Sequence, residues 1–202
     1  ELARLPLDPR VGRMILAARE QQALTEVLVI AAALSGQDVR DRPLDQQQVA
    51  DQKHKPFDDE KSEFMGTLRL WQWIEEGRGQ HGHRPGSGPA DSHKLSNRQQ
   101  EQRLRDHFIS ARRVREWRDI HSQLLTVVAE HGWRLNTAPA TYEQVHLALM
   151  AGLLGNVGCK ADDDDWYLGA RGIKFWRHPG ANLSKKPGRW LVAAELVETT
   201  RL

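Results

Sequence analysis

The sequence predicts a mainly α-helical protein with a small β part at its C-terminal end. From residue 9 to about residue 155, apolar residues recur at the three- and four-residue spacing of helices that bury one face. Beyond Gly158 the pattern changes to short apolar runs separated by glycine and proline, which is typical of strands. The chain has 202 residues with 39% hydrophobic content, enough for one or two packed units.

Four helices are predicted before residue 77. Pro9 suits the first turn of the first helix. The run 25–36 is apolar almost all round, so we expect it to be the central helix of a bundle. Asp45 is expected to cap the third helix, and the acidic segment 59–63 suits the start of the fourth. The stripe of the fourth helix, interpreted as core, is Phe64, Leu68, Trp71 and Ile74.

The helical pattern stops in the segment 77–93. Its five glycines and two prolines predict a mobile surface loop, interpreted as an insertion. His81, His83 and His93 lie in this loop and could suggest a metal site. A glycine-rich segment without cysteine and with one acidic residue is, however, a poor scaffold for three or four preorganised ligands. We therefore predict no metal site.

Three further helices are predicted between residues 95 and 155. The middle one, 111–132, places arginines around an apolar base that includes Val114 and Trp117. Thr141 and Gln144 form the capping-box signature of the last helix. The arginines proposed to contact an anion are Arg112, Arg113 and Arg115.

A basic loop follows in the predicted β part. The stretch "RHPGANLSKKPGRW", residues 177–190, lies between two apolar, β-prone segments and should join two strands of a small sheet. Its candidate anion-binding residues are Arg177, His178, Lys185, Lys186 and Arg189. Pro187 and Gly188 should stiffen the turn and let the backbone approach a ligand closely. Trp190 is expected to anchor the next strand in the core, and a solvated surface loop remains the alternative.

The distribution of charge favours a nucleic-acid partner. The net charge is only +2, but the segments 94–118 and 166–202 each carry five more basic than acidic residues. A solvated face remains the alternative for both. Because Cys159 is the single cysteine, internal disulfides are excluded, which fits the cytoplasm. No apolar run reaches the roughly 18 residues that span a bilayer, so no membrane partner is expected.

No catalytic motif is present in the sequence. There is no G-x-x-x-x-G-K-[ST] phosphate loop, and no Ser, His and acid set lies in a context that marks a nucleophile. The acidic run 162–165 lacks the glycine and glutamate of a calcium loop and is interpreted as a solvated turn. We expect the chain alone to bind no cofactor and to hydrolyse no ATP.

Four ordered stretches nevertheless resemble one protein family. They are "LARLPLDPRVGRMILAA", "VLVIAAALSGQDVRDRPLDQQQVADQKHKPF", "RRVREWRDIHSQL" and "YLGARGIKFWRHPGANLSKKPGRWLVAAELVETT". They look like successive parts of the region after the motor in DEAH-box ATP-dependent RNA helicases, above all of the large bacterial HrpA type. The resemblance covers nearly the whole chain except the segment 77–93.

The resemblance implies an accessory region and a domain order. Residues 1–22 would end a degenerate winged helix, 23–157 would form the helical ratchet domain with the insertion 77–93, and 158–202 would be an incomplete OB-fold barrel. Single-stranded RNA is the implied partner, with DNA left open, together with the RecA-like motor domains of the same parent chain. ATP and magnesium would bind in those motor domains. The alternative is a stand-alone RNA-binding or partner-docking module without a motor.

Overall fold

The computed structural model describes residues 8–79, 94–162, 164–183 and 187–198. Within them, seven helices precede four short strands, so the predicted class, mainly α with a C-terminal β part, is confirmed. The helices are α1 Pro9–Glu20, α2 Leu24–Ser35, α3 Gln47–His54, α4 Glu63–Gly77, α5 Asn97–Asp106, α6 Ala111–Glu130 and α7 Tyr142–Leu153. The strands are β1 Val157–Lys160, β2 Trp166–Leu168, β3 Lys174–Trp176 and β4 Trp190–Val192. None of the helices described is long and apolar enough to cross a membrane.

Local sequence signals determine where several helices begin. The predicted capping box of α7 is confirmed, since the Thr141 hydroxyl accepts from the Gln144 N–H and the Gln144 side chain accepts from the Thr141 N–H. The predicted cap of α3 is wrong. Gln46 occupies the cap position and makes no side-chain cap bond, because α3 begins one residue later than Asp45 would require.

The chain divides into two compact units. The second unit is Ala32–His131, and the first consists of the described residues before and after it. The predicted central helix α2 is buried on nearly all sides from Leu24 to Ala32. The predicted loop insertion and His81, His83 and His93 fall mainly on residues 80–93, which lie outside the described residues.

Close packing of α1 against α7 forms the helical core of the first unit. Gly152 allows this approach, because a side chain there would overlap the Arg10 carbonyl oxygen and meet Met14 Cγ at 2.7 Å. The segment before α7 is tied to α2 through Glu26. Its carboxylate accepts from Asn136 Nδ2 at 3.0 Å and from the Ala140 N–H at 2.9 Å. The first unit is therefore held by apolar packing and by one partly buried carboxylate.

The four strands form one antiparallel sheet in the first unit. Their order is β3-β2-β1-β4, so β3 and β4 are the two edges. The inner face buries Tyr167 and Phe175, whose rings stack at 5.8 Å between centroids. Gly158 lies beneath them, and any side chain there would approach the Phe175 ring to 2.5 Å. Among the described residues, the inward Tyr167 and Phe175 are buried, whereas Leu168, Lys174, Trp176 and Trp190 on the opposite face are exposed, as expected for alternating strands.

The second unit packs α4, α5 and α6 around aromatic side chains. Trp117 is buried, and its ring meets Trp71 edge-on at 4.8 Å between centroids. The Trp71 ring also contacts the His121 ring at 4.7 Å. Burial, followed by the nearby charge of Arg118, lowers the pKa of His121 to about 4. This histidine is therefore neutral at physiological pH and belongs to the core.

Candidate nucleic-acid interface

Two exposed arginines of the predicted set, Arg112 and Arg115, lie about one turn apart on α6. Ser110 caps this helix by accepting from the Arg113 N–H, which places Arg112 and Arg115 within its first turn and a half. Their side chains are 68% and 66% exposed. Positions i and i+3 of a helix are neighbours, so the two guanidinium groups share one surface.

Each of these exposed arginines forms a loose ion pair with an acidic side chain. Arg112 Nη1 lies 3.5 Å from Glu116 Oε1, and Arg115 Nη1 lies 3.4 Å from Glu101 Oε1. Exposed ion pairs of this kind contribute about 0–1 kcal/mol, since water screens the attraction and two long side chains lose freedom. The carboxylates can therefore be replaced by another anion at low cost in free energy.

Arg113 makes a different set of contacts. Its side chain is only 29% exposed, and Nη1 donates to Asp41 Oδ1 at 2.9 Å and to the Asp38 carbonyl at 3.1 Å. These bonds hold the segment after α2 against α6. The same segment is ordered by Arg40, which pairs with the Asp38 carboxylate at 3.0 Å. Arg113 thus acts as an internal clamp, meaning that it holds two segments of the unit together. Contact with RNA would require it to break its hydrogen bonds to Asp38 and Asp41.

Arg118 is a second cation of α6 that is tied to an acid within the unit. Its Nε lies 3.0 Å from Glu75 Oε1 on α4, and both side chains are largely shielded from water. Arg113 and Arg118 therefore fix α6 in the unit, whereas Arg112 and Arg115 are presented on its surface. The sequence alone does not distinguish Arg113 and Arg118 from Arg112 and Arg115. The acidic partners Glu75 and Asp41, which make the difference, are distant from α6 along the chain.

The predicted basic loop crosses from one edge of the sheet to the other. It leaves β3 at Arg177 and enters β4 at Trp190, and these two strands do not pair with each other. Arg177 is half-buried and donates through Nη1 to the Leu183 carbonyl at 3.3 Å. His178 is exposed, and its Nδ1 accepts from the Gly180 N–H at 3.0 Å. Arg189 is exposed, while Lys185 and Lys186 lie outside the described residues.

The prediction that Trp190 anchors its strand in the core is wrong. Its side chain is 67% exposed, and the residue of β4 that faces inward is its neighbour Leu191, which pairs with Gly158 of the inner face. Successive side chains of a strand point to opposite faces, so the inward position of the half-buried Leu191 places Trp190 outside. Hydrophobicity alone did not indicate which of the two adjacent apolar residues would be inside.

Trp190 belongs to an exposed face that sequence reasoning missed. Cys159 pairs with both Trp190 and Leu168, Leu168 pairs with Lys174, and Trp166 pairs with Trp176. Directly paired residues share a face, and so do residues two apart on one strand. The resulting surface is called the tryptophan face, and its members are Trp166, Leu168, Lys174, Trp176 and Trp190. The available signal was their alternation with the inward Tyr167, Phe175 and Leu191.

The tryptophan face combines aromatic rings with a cation. Trp176 is 61% exposed at one edge of the sheet and Trp190 occupies the other. Trp166 is half-buried, its Nε1 donates to Asp164 Oδ2 at 2.8 Å, and Lys174 Nζ lies 4.4 Å from its ring centroid. Among the residues described, no three His, Cys, Asp or Glu side chains converge as a metal site would require.

Comparison with known proteins finds a helicase-associated family model and related RNA helicases. Residues 8–68 match the family model described as helicase associated domain (HA2), ratchet-like. Over all 202 residues the chain is 41% identical to the ATP-dependent RNA helicase HrpA of Escherichia coli and 40% identical to the HrpA homolog of Haemophilus influenzae. It is 22% identical to the pre-mRNA-splicing factor ATP-dependent RNA helicase prp22 of Schizosaccharomyces pombe.

The three relatives match the whole chain, but the chain corresponds to a small part of each of them. The chain spans 14% of the length of the two bacterial proteins and 16% of the yeast one. The ratchet-like match begins at α1 and extends into α4, so the matched segment includes residues of both units. The chain thus contains a helicase-associated (HA2), ratchet-like segment and is similar over its whole length to one part of HrpA-type ATP-dependent RNA helicases.

Proposed function

We propose that the chain is an RNA-binding accessory region of an ATP-dependent DEAH-box RNA helicase and guides single-stranded RNA during unwinding. In this proposal, residues 1–22 end a degenerate winged helix, 23–157 form the ratchet domain with the insertion 77–93, and 158–202 form part of an OB-fold. RecA-like motor domains of the same parent chain bind ATP and magnesium, for which this chain has no phosphate loop. The proposed location is the cytoplasm.

The observation that carries the proposal is the exposed pair Arg112 and Arg115. A phosphate of single-stranded RNA can take the place of Glu116 or Glu101, because the existing contacts are long and solvated. Two guanidinium groups one helical turn apart can then engage the RNA backbone together. Phosphate contacts carry no sequence information, which suits a protein that must move along any RNA.

The basic loop supplies the second proposed contact. Arg189 is exposed beside the edge strand β4, and Lys185 and Lys186 precede it in the sequence. Arg177 and His178 begin the same loop, where Arg177 also supports the loop through the Leu183 carbonyl. We infer that Lys185, Lys186 and Arg189 are the phosphate contacts of this loop and that Arg177 mainly maintains its conformation.

The test is a titration of binding against salt. Each phosphate contact contributes about 0.7 to the slope of log affinity against log salt for a single strand. R112A/R115A should therefore lower the slope by up to about 1.4 for unrelated 12-nucleotide RNAs, and K185A/K186A/R189A by up to about 2. Binding is measured by fluorescence anisotropy at four salt concentrations.

The matched control for the α6 variant is R42A. Arg42 is an exposed arginine that also has an acidic partner, Asp51 at 2.7 Å, but lies outside the proposed interface. A second comparison uses E101Q/E116Q, which should strengthen binding because it removes the competing carboxylates, with D51N as its control. Equal slopes for R112A/R115A and the wild-type chain, with both folded, would refute the role of this arginine pair.

A further inference from the structure

We propose that the tryptophan face stacks the bases of single-stranded RNA, with Trp176 and Trp190 as its two stacking platforms. This inference rests on the proposed function, since both concern the same ligand. It adds a contact of different chemistry, because the arginine pair and the basic loop are expected to hold phosphates while the tryptophan face holds bases.

Exposure is the first argument. Trp176 and Trp190 are 61% and 67% exposed, and Leu168 between them in strand order is 47% exposed. The sheet does not need these rings for its own core, because Tyr167 and Phe175 fill the inner face. Exposed apolar surface on one side of a small sheet indicates contact with a ligand or partner. Large flat rings are the side chains on which unstacked bases pack.

Charge selects RNA as the occupant. Lys174 lies on the face itself, Arg177 directly follows Trp176, and Arg189 directly precedes Trp190. Strand register places only Lys174 on the face, and the two arginines flank its edges as sequence neighbours of Trp176 and Trp190. Asp164, which precedes β2, accepts a hydrogen bond from Trp166 Nε1. Aromatic rings interleaved with cations complement a strand of bases and phosphates.

The geometry also suits a single strand. Trp176 and Trp190 lie on opposite edges of a four-stranded sheet, three strand spacings across and two residues along the strands from each other, which corresponds to about 16 Å. Trp166 is partly covered by Lys174, so its ring supports that cation rather than offering a free platform. A strand crossing the face would stack one base at each edge, and Leu168 would contact the segment between them.

The experiment measures binding of the 202-residue chain to two labelled 12-nucleotide RNAs. One is oligo(A), and the other has the same number of phosphates but lacks the bases at its central positions. The variants are W176A, W190A and W176A/W190A, with W176F/W190F as the conservative replacement. L154A serves as the control, since Leu154 is a 62% exposed apolar residue outside the sheet. Circular dichroism and thermal melting confirm that each variant is folded.

The expected result is a loss of affinity that depends on the bases. Each alanine substitution should weaken binding of oligo(A) about ten-fold, because stacking of one base contributes about 1–3 kcal/mol. Binding of the abasic RNA should stay within two-fold of the wild-type chain, and so should the salt slope, since tryptophan carries no charge. W176F/W190F should retain most of the affinity, and L154A all of it.

Other outcomes refute the inference and separate it from the proposed function. If the wild-type chain binds both RNAs equally and the alanine variants do too, with the salt slope intact, the phosphate-binding function stands and base stacking is wrong. If the chain binds neither RNA, both fail. If W176A/W190A lowers the melting temperature or dissolves a dimer in sedimentation velocity without changing RNA binding, the face is instead a packing or self-association surface.

Discussion

Substitution of Gly152 by alanine should destabilise the chain, although alanine normally stabilises a helix. The new Cβ would overlap the carbonyl oxygen of Arg10 and lie 2.7 Å from Met14 Cγ. The overlap with a backbone atom of α1 cannot be relieved by a change of rotamer, so α1 and α7 must move apart. Met14 is itself buried and has little room to retreat.

The magnitude follows from two opposing effects. Replacing glycine by alanine inside a helix gains about 0.5–1 kcal/mol through lower backbone entropy in the unfolded chain. Overpacking a filled core costs about 1–3 kcal/mol. We therefore expect G152A to lower the free energy of unfolding by up to about 2.5 kcal/mol, and the melting temperature by up to a few degrees in a chain of this size.

Urea denaturation followed by circular dichroism at 222 nm measures this change. The matched control is G155A, because nothing lies within 4 Å of a Cβ at Gly155. Its stability should equal or slightly exceed that of the wild-type chain. A G152A variant as stable as G155A would mean that α1 and α7 do not approach as closely as described here.

Three further predictions use other parts of the chain. The pKa of His121 is about 4 in the folded chain and near 6.5 in the unfolded chain, so the contribution of the neutral imidazole to the free energy of unfolding is full above pH 6.5 and declines as the pH falls toward 4. Urea denaturation at pH 7.5 and at pH 5 should therefore show a smaller loss of stability for H121Q than for the wild-type chain. R113A should lose about 1–2 kcal/mol of stability, while R115A stays within about 0.5 kcal/mol of wild type; equal losses would contradict the distinction between clamp and surface arginine. The purified chain should show no RNA-stimulated ATP hydrolysis above a matched blank, because it has no phosphate loop.

Local patterns in the sequence were sufficient for the helices. The capping box at Thr141 and the apolar face of α6 depend on residues three or four positions apart, and both are found in the structure. The cap predicted at Asp45 failed by a single residue, since local propensity does not fix where a helix begins. The class of fold was therefore predictable, while some of its boundaries were not.

Long-range pairing was not predictable from the same patterns. The tryptophan face depends on strand register, and a shift of one residue would exchange its members with the inner face. Three of the four acidic partners of the α6 arginines come from other elements, namely Glu75 on α4, Glu101 on α5 and Asp41 on the segment before α3. Because these contacts arise only on folding, the sequence did not distinguish Arg113 from Arg112 and Arg115, whereas the structure has two kinds of arginine on α6.

The difference between these two kinds bears on how a helicase accessory region can hold RNA and still release it. A tightly held phosphate would slow each step of the strand, whereas exchange between Glu101 or Glu116 and a phosphate replaces one weak ion pair by another. The free-energy change of each exchange is then small compared with the sum over many contacts. Such exchange requires a helix that does not move, which the contacts of Arg113 and Arg118 provide. On the proposed function, Arg112 and Arg115 therefore bind RNA weakly while Arg113 and Arg118 hold α6 in place for them. The number of basic residues in the sequence is accordingly larger than the number available to bind RNA.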